Sequence, residues 1–187
     1  GNDIESLIHL FEEVKDIDHP IVLHIHTEKG RGYQPALENK EAFHWHMPFD
    51  LETGQSKVID SGKSYSSVML DYMDKKVSEG LPLVAINAAI PGIFGLKQFA
   101  AKYPDRYIDA GIAEQFTITF GGAMAAAGAR PIIFHNSTFV QRAYDQFWHD
   151  LAINEEPAIV IVKGGVISGS DETHQGSSAM TWISNIP

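Results

Sequence analysis

Three nearly continuous apolar runs, LPLVAIN (81–87), PIIFHN (131–136) and PAIVIVK (157–163), constrain this chain more than any other feature. Runs of that length without strict alternation suit strands covered on both faces. A shorter strand is expected over 106–109. Helical stretches at 64–79, 95–103, 113–128 and 138–153 fall before and between them, with Ser64 placed to cap the first and AAIPGIF (88–94) a turn-rich link. The apolar stripe of 64–79 reads as Tyr65, Val68, Met69, Tyr72 and Val77. Strands alternating with helices at this spacing define an α/β chain, a parallel sheet flanked by helices. In such sheets the ligand crevice lies beyond the carboxyl ends of the strands. The segments that leave the strands ending at 109, 136 and 163 carry Glu114, then Asn136 with Phe139 and Arg142, then His174 in the polar loop 164–176. Those residues are expected to gather at one edge.

The amino-terminal third reads differently. Residues 2–15 form an amphipathic helix with Ile4, Leu7, Ile8, Phe11 and Val14 on one side, and IVLHIHT (21–27) has the β-branched content of a strand. One helix and one strand cannot bury both their faces alone, so the chain is expected to begin inside a domain whose earlier part is missing. Residues 28–55 lack periodicity and read as a long loop holding Tyr33, His44 and His46, both functional and inter-domain.

The formal charge of −10, from 14 basic against 24 acidic residues, argues against a nucleic-acid partner. No basic amphipathic helix addresses a membrane surface, and no run approaches the roughly 18 apolar residues of a spanning helix. Cysteine is absent, which removes disulfides and thiolate metal sites. A cytoplasmic location is the default expectation.

Glu114 heads a helix rich in glycine and alanine, including Gly121 and Gly122, whose backbone can be approached closely. Its plain reading is helix-start electrostatics. Its functional reading is a buried carboxyl group that shares a proton with a nitrogen heterocycle. Phe139 is either core or a ring-packing aromatic. Arg142 is either a solvated charge or a clamp for phosphate or carboxylate. His174 is either an exposed loop residue or a proton shuttle. His24, His26, His44 and His46 invite a zinc site, but no Asp or Glu completes a ligand spacing, so no metal is assigned to this chain.

GIAEQ before the small-residue helix, STFVQRAYDQFWHD, THQG and the closing IP together resemble 1-deoxy-D-xylulose-5-phosphate synthase, a thiamine-diphosphate enzyme of the transketolase group. EKGRGYQPA and FHWHMPFD resemble the link between that family's two catalytic domains. The likeness covers essentially the whole chain. It implies that 1–55 is the tail of a diphosphate-binding domain plus linker, and that 56–187 is a pyrimidine-binding domain. It further implies the cofactor thiamine diphosphate with Mg2+, whose metal ligands are expected upstream. Glu114 matches the glutamate that bonds the aminopyrimidine nitrogen and so helps remove the thiazolium C2 proton. Phe139 matches the aromatic packed on the pyrimidine, and Tyr33 a cofactor-contacting tyrosine. His44 and His174 match histidines at the substrate, and Arg142 the arginine at the sugar phosphate, with Asn136 beside it. The implied reaction joins pyruvate, after decarboxylation, to glyceraldehyde 3-phosphate in a homodimeric enzyme. Alone, this chain is expected to be inactive. The sequence departs from the family pattern at Asn136, usually tyrosine, and at Phe116, usually histidine. Ser170 stands where an aspartate is expected, unless Asp171 substitutes. The loop also lacks the family's arginine, and AAIPGIFGL lacks an acidic residue. Those changes fall near the donor and acceptor sites, which keeps a transketolase-like enzyme of other specificity, or a non-catalytic interface-forming half, as alternatives.

Overall fold

The computed structural model describes residues 1–44, 46–58, 62–165 and 173–187. The chain divides into two compact units, Gly1–Gly62 and Lys63–Pro187.

In the first unit, helix α1 (Ile4–Val14) is started by Asp3, whose side chain accepts from Ser6 N. None of its residues is buried. The strand expected over 21–27 does not form: these residues carry no regular structure, and Val22 is 93% exposed. β-branched composition favours an extended chain, but a strand exists only when a neighbour completes its hydrogen-bond ladder, and no described segment pairs with this one. The stretch 28–55 is not loop throughout. Pro35 at the start of a turn nucleates a short helix, α2 (Gln34–Glu38). Phe49 and Ser56 form an isolated antiparallel bridge. Phe43 and Phe49 pack edge-on and tilted against Tyr33, and His46 lies tilted on both phenylalanines, giving this unit a small aromatic cluster.

The second unit is a four-stranded parallel sheet in the order β2-β1-β3-β4, with β1 Leu83–Asn87, β2 Tyr107–Asp109, β3 Arg130–Asn136 and β4 Ile159–Lys163. Successive side chains of β1 and β3 point to opposite faces, and each face has its own core. Leu83, Ala85, Ile132 and Phe134 meet Met73, Phe94 and Phe99 on one side. Val84, Ile86 and Ile133 meet Ile118, Phe147 and Leu151 on the other. The first face is covered by α3 (Tyr65–Ser78), α4 (Pro91–Phe94) and α5 (Leu96–Lys102). Ser64 caps α3 in a reciprocal box with Ser67, as its position predicts. The stripe that faces the core is Met69, Leu70, Met73 and Val77, rotated from the expected one. Tyr65, Val68 and Tyr72 are exposed, because the amphipathic tyrosines keep their hydroxyls in water while the methionines fill the sheet surface.

The second face is covered by α6 (Glu114–Ala126) and a helical segment over 137–152. That segment is not the single α-helix expected over 138–153. It runs α over Ser137–Val140, 3-10 over Gln141–Ala143, α over Tyr144–Gln146 and π over Phe147–Ala152. The π turn lies against α6 at Gly122, where an added Cβ would come within 2.6 Å of the Asp150 carbonyl oxygen. At Gly121 the same addition would meet Ile133 Cδ1 at 2.5 Å. Gly122 is therefore required by packing against backbone, whereas a methyl at Gly121 would have to displace the Ile133 side chain. A last helix, Ala179–Ile183, places Trp182 against Phe147.

Candidate functional site

The exits of β1 and β2 are joined by one carboxylate. Asp109 Oδ1 accepts from the amides of Ala89 (2.9 Å) and Gly111 (3.0 Å), and Oδ2 accepts from Asn87 Nδ2 (3.1 Å). Gly111 (φ 71°) makes the left-handed turn into α6, and Ala89 adopts φ 58°, a conformation that costs an L-residue about 1–2 kcal/mol. The loop that delivers Glu114 is thus pinned before the helix begins.

Glu114 is the first residue of α6 and is 2% exposed. Its N-cap, Ala113, offers no side-chain bond. The carboxylate oxygen Oε2 lies 3.5 Å from Arg142 Nη1, in the 3-10 turn, and has no hydrogen-bond partner among the described residues. A buried acceptor without a donor costs about 1–3 kcal/mol, more when charged. The guanidinium, 51% exposed, offsets part of this by Coulomb attraction without satisfying the lone pair. A ligand bearing an N–H at that position supplies what is missing.

The exit of β3 is organised by two hydrogen bonds and one close backbone approach. Asn136 Oδ1 accepts from Thr138 N at 2.9 Å and starts the helical segment. Ser137 Oγ donates to the Gly164 carbonyl at 2.6 Å and ties the end of β4 to it. Gly176, the glycine of THQG, packs where a Cβ would overlap the Gly164 carbonyl oxygen and approach Ser137 Oγ to 2.5 Å. That close approach sets residues 173–176 against the helix start, and the rings of His174 and Phe139 meet edge-on at 5.1 Å. His174 Nδ1 also pairs with Thr173 Oγ1 at 2.8 Å.

The structure therefore brings Glu114 to Arg142 and Phe139 to His174, with Asn136 three residues before Phe139 in the same segment. Tyr33 and His44 lie in the first unit. Tyr33 donates to the Leu51 carbonyl at 3.0 Å, and His44 Nδ1 is 2.6 Å from Lys29 Nζ. His24 and His26 stack at 4.1 Å, tilted by 42°. Among the described residues no cluster of three or more His, Asp or Glu is placed to hold a metal ion. Ser170 and Asp171 lie outside the described residues. Phe116 is half-exposed and stacks on Phe120 at 5.2 Å.

One pair escaped the sequence reading. His135 on β3 is fully buried, and burial lowers its pKa from 6.5 to about 4, so the ring is neutral. Its Nε2 is 2.8 Å from Thr117 Oγ1, which donates in turn to the Glu114 carbonyl at 2.7 Å. The signal was a histidine inside an otherwise apolar strand.

A parallel α/β sheet with a buried, unsatisfied carboxylate heading the helix that follows β2 is the kind of domain that takes its ligands at the strand exits. Residues 61–187 match the family described as transketolase, pyrimidine binding domain, and the chain belongs to that family. Over its whole length it is similar to 1-deoxy-D-xylulose-5-phosphate synthases: 39% identical over 189 residues to synthase 1 of Geobacter sulfurreducens, 41% over 192 to synthase 1 of Geobacter metallireducens, and 38% over 189 to that of Natranaerobius thermophilus. The chain spans 30% of the length of each of these relatives. Among solved structures it shares its fold with a split-gene transketolase described as an inactive β4 tetramer (TM-score 0.51, 16% identity, covering 66% of this chain and 39% of that one). No helix among the described residues is long and apolar enough to cross a membrane.

Proposed function

We propose that this chain supplies the pyrimidine-binding part of a thiamine-diphosphate-dependent synthase that condenses pyruvate with glyceraldehyde 3-phosphate to 1-deoxy-D-xylulose 5-phosphate and CO2. The observation that carries the reading is Glu114 Oε2, buried at the head of α6 and without a hydrogen-bond donor among the described residues. That atom fits the ring nitrogen of an aminopyrimidine, because a carboxyl group and a ring nitrogen there share a single proton. The cofactor, when bound, supplies the nucleophilic carbon for chemistry at a 2-oxo acid. Glu114 holds a proton at Oε2 against the ring nitrogen. Phe139 gives the pyrimidine an aromatic surface, fixed in place by His174 edge-on to it. Arg142, half-exposed, has the planar fork that takes an acceptor's phosphate. His174 and His44 exchange protons with the substrates, Tyr33 contacts the cofactor, and Asn136 borders the acceptor. Mg2+ and the diphosphate are assigned to residues beyond this chain, with 1–55 as tail and link and 56–187 as the pyrimidine-binding domain of a homodimer.

The test uses the complete enzyme of which this chain forms part. Pyruvate plus glyceraldehyde 3-phosphate should give the product, and Glu114→Gln should reduce it at least 100-fold with the fold retained. Turnover unaffected by Glu114→Gln would leave only an interface role. A second reading, transketolase-like chemistry with other donors, is favoured by Asn136, whose amide oxygen is spent on capping Thr138. Faster turnover with sugar-phosphate donors than with pyruvate would select it. The 187-residue chain by itself should show no appreciable thermal shift with thiamine diphosphate and magnesium; a saturable stabilisation refutes the division of labour.

A further inference from the structure

We infer that His135 is a positioning residue for Glu114, acting through Thr117 to lock the first turn of α6 against β3; the inference rests on the role proposed for Glu114.

Asp109 pins the loop before Glu114, but within α6 itself Glu114 has little else to hold it. The helix it heads has no side-chain N-cap, and its carboxylate makes one long contact, to a half-exposed guanidinium. Thr117 stands one turn in, fully buried, and its hydroxyl donates to the carbonyl of Glu114 itself. A hydroxyl has a single proton. With that proton committed, Thr117 Oγ1 must accept from His135 Nε2, so the ring is the Nε2–H tautomer and Nδ1 keeps a lone pair. Nδ1 is buried and has no partner among the described residues, consistent with that tautomer carrying no second proton.

The pair is expensive where it stands. His135 follows Ile132, Ile133 and Phe134, pairs with Val162 of β4 in register, and shares its face with Ile133 and the apolar core beneath α6. A buried ring nitrogen without a partner is unfavourable, and an aliphatic residue would fill the same space without that penalty. The compensating gain is directional. β3 is hydrogen-bonded on both sides, to β1 and β4, and is held by the sheet along its length. The His135–Thr117–Glu114 chain extends that hold to the backbone of the residue whose side chain meets the ligand. Displacements of about 1 Å at a reacting group can cost about 100-fold in rate, so a fixed first turn matters.

The experiment compares His135→Leu, His135→Gln, Thr117→Val and the double variant His135→Leu/Thr117→Val with Glu114→Gln in the complete enzyme. Thiamine diphosphate affinity is read by tryptophan fluorescence, steady-state rates with pyruvate and glyceraldehyde 3-phosphate give kcat and KM, and a long-range proton–nitrogen NMR spectrum reads the His135 tautomer. His135→Leu and Thr117→Val should each lower cofactor affinity and kcat about 10-fold. KM for both substrates should stay within twofold, and the double variant should be no worse than either single one. His135→Gln, whose Nε2 can still donate to Thr117, should restore most of the loss. The wild-type ring should be the Nε2–H form. Additive single effects, a Gln variant no better than Leu, or an Nδ1–H ring would each overturn the inference. If His135→Leu fails to fold, Thr117→Val and His135→Gln decide it alone. Intact activity in Glu114→Gln would instead overturn the underlying role of Glu114. Loss there, with His135 and Thr117 variants unchanged, would overturn this inference only.

Discussion

Acidification should weaken the second unit through one buried ring. His135 has a folded-state pKa of about 4, against 6.5 for a free histidine, because burial disfavours the charged form. The folded pKa is depressed, so the unfolded chain takes up the proton first. The stabilisation that neutral His135 contributes is complete above pH 6.5 and is lost as pH falls toward 4. At about 1.4 kcal/mol per pH unit, the full loss is roughly 3 kcal/mol, of which about 2 kcal/mol falls between pH 7 and pH 5. The carboxyls of Asp3, Asp50 and Asp74 are lowered from 3.8, by hydrogen bonds from Ser6, Thr53 and Lys102 respectively, so what they contribute is lost only below that window. Urea unfolding followed by tryptophan fluorescence at pH 7, 6 and 5 measures the effect. The native chain should lose about 2 kcal/mol more than His135→Gln over those two units, because glutamine keeps a donor toward Thr117 and does not titrate. Parallel pH profiles for the two proteins would refute the assignment of a buried, neutral ring.

Two packing substitutions follow from the same structure. Gly122→Ala drives a methyl to within 2.6 Å of the Asp150 carbonyl and should cost about 1–3 kcal/mol, measured by urea unfolding. Ala89→Gly relieves a φ of 58° at an exposed position and should gain about 0.5–1 kcal/mol after the added chain entropy is counted, seen as a raised urea midpoint.

Much of the fold was legible because β1, β3 and β4 are covered enough to demand near-continuous apolar sequence, and the helices between them keep a 3.6-residue period. The strand-exit rule puts Glu114, Phe139, Arg142 and His174 at one edge of the sheet, and the pairing of Glu114 with Arg142 and of Phe139 with His174 comes from the structure. What failed depended on tertiary context. Residues 21–27 have the composition of a strand but no described partner for their hydrogen bonds. The switch from α to 3-10 to π within 137–152 leaves the sequence period nearly unchanged, and only the approach of α6 at Gly122 marks where the π turn lies. The core-facing stripe of α3 was misassigned because tyrosines count as apolar in a periodicity reading although their hydroxyls keep them at the surface. His135 and Thr117 are 18 residues apart, and only the strand-on-helix packing makes them a pair.

Asp109 carries a consequence for how this chain tolerates change. Its one side chain binds the amides of Ala89 and Gly111 and the amide group of Asn87, so the exits of two neighbouring strands share a single anchor. An insertion or a proline in the first exit would strip that anchor from the second, and Glu114 would drift without any substitution near it. Redesign of either exit therefore has to treat the two as one inheritable unit, exchanged together or left alone.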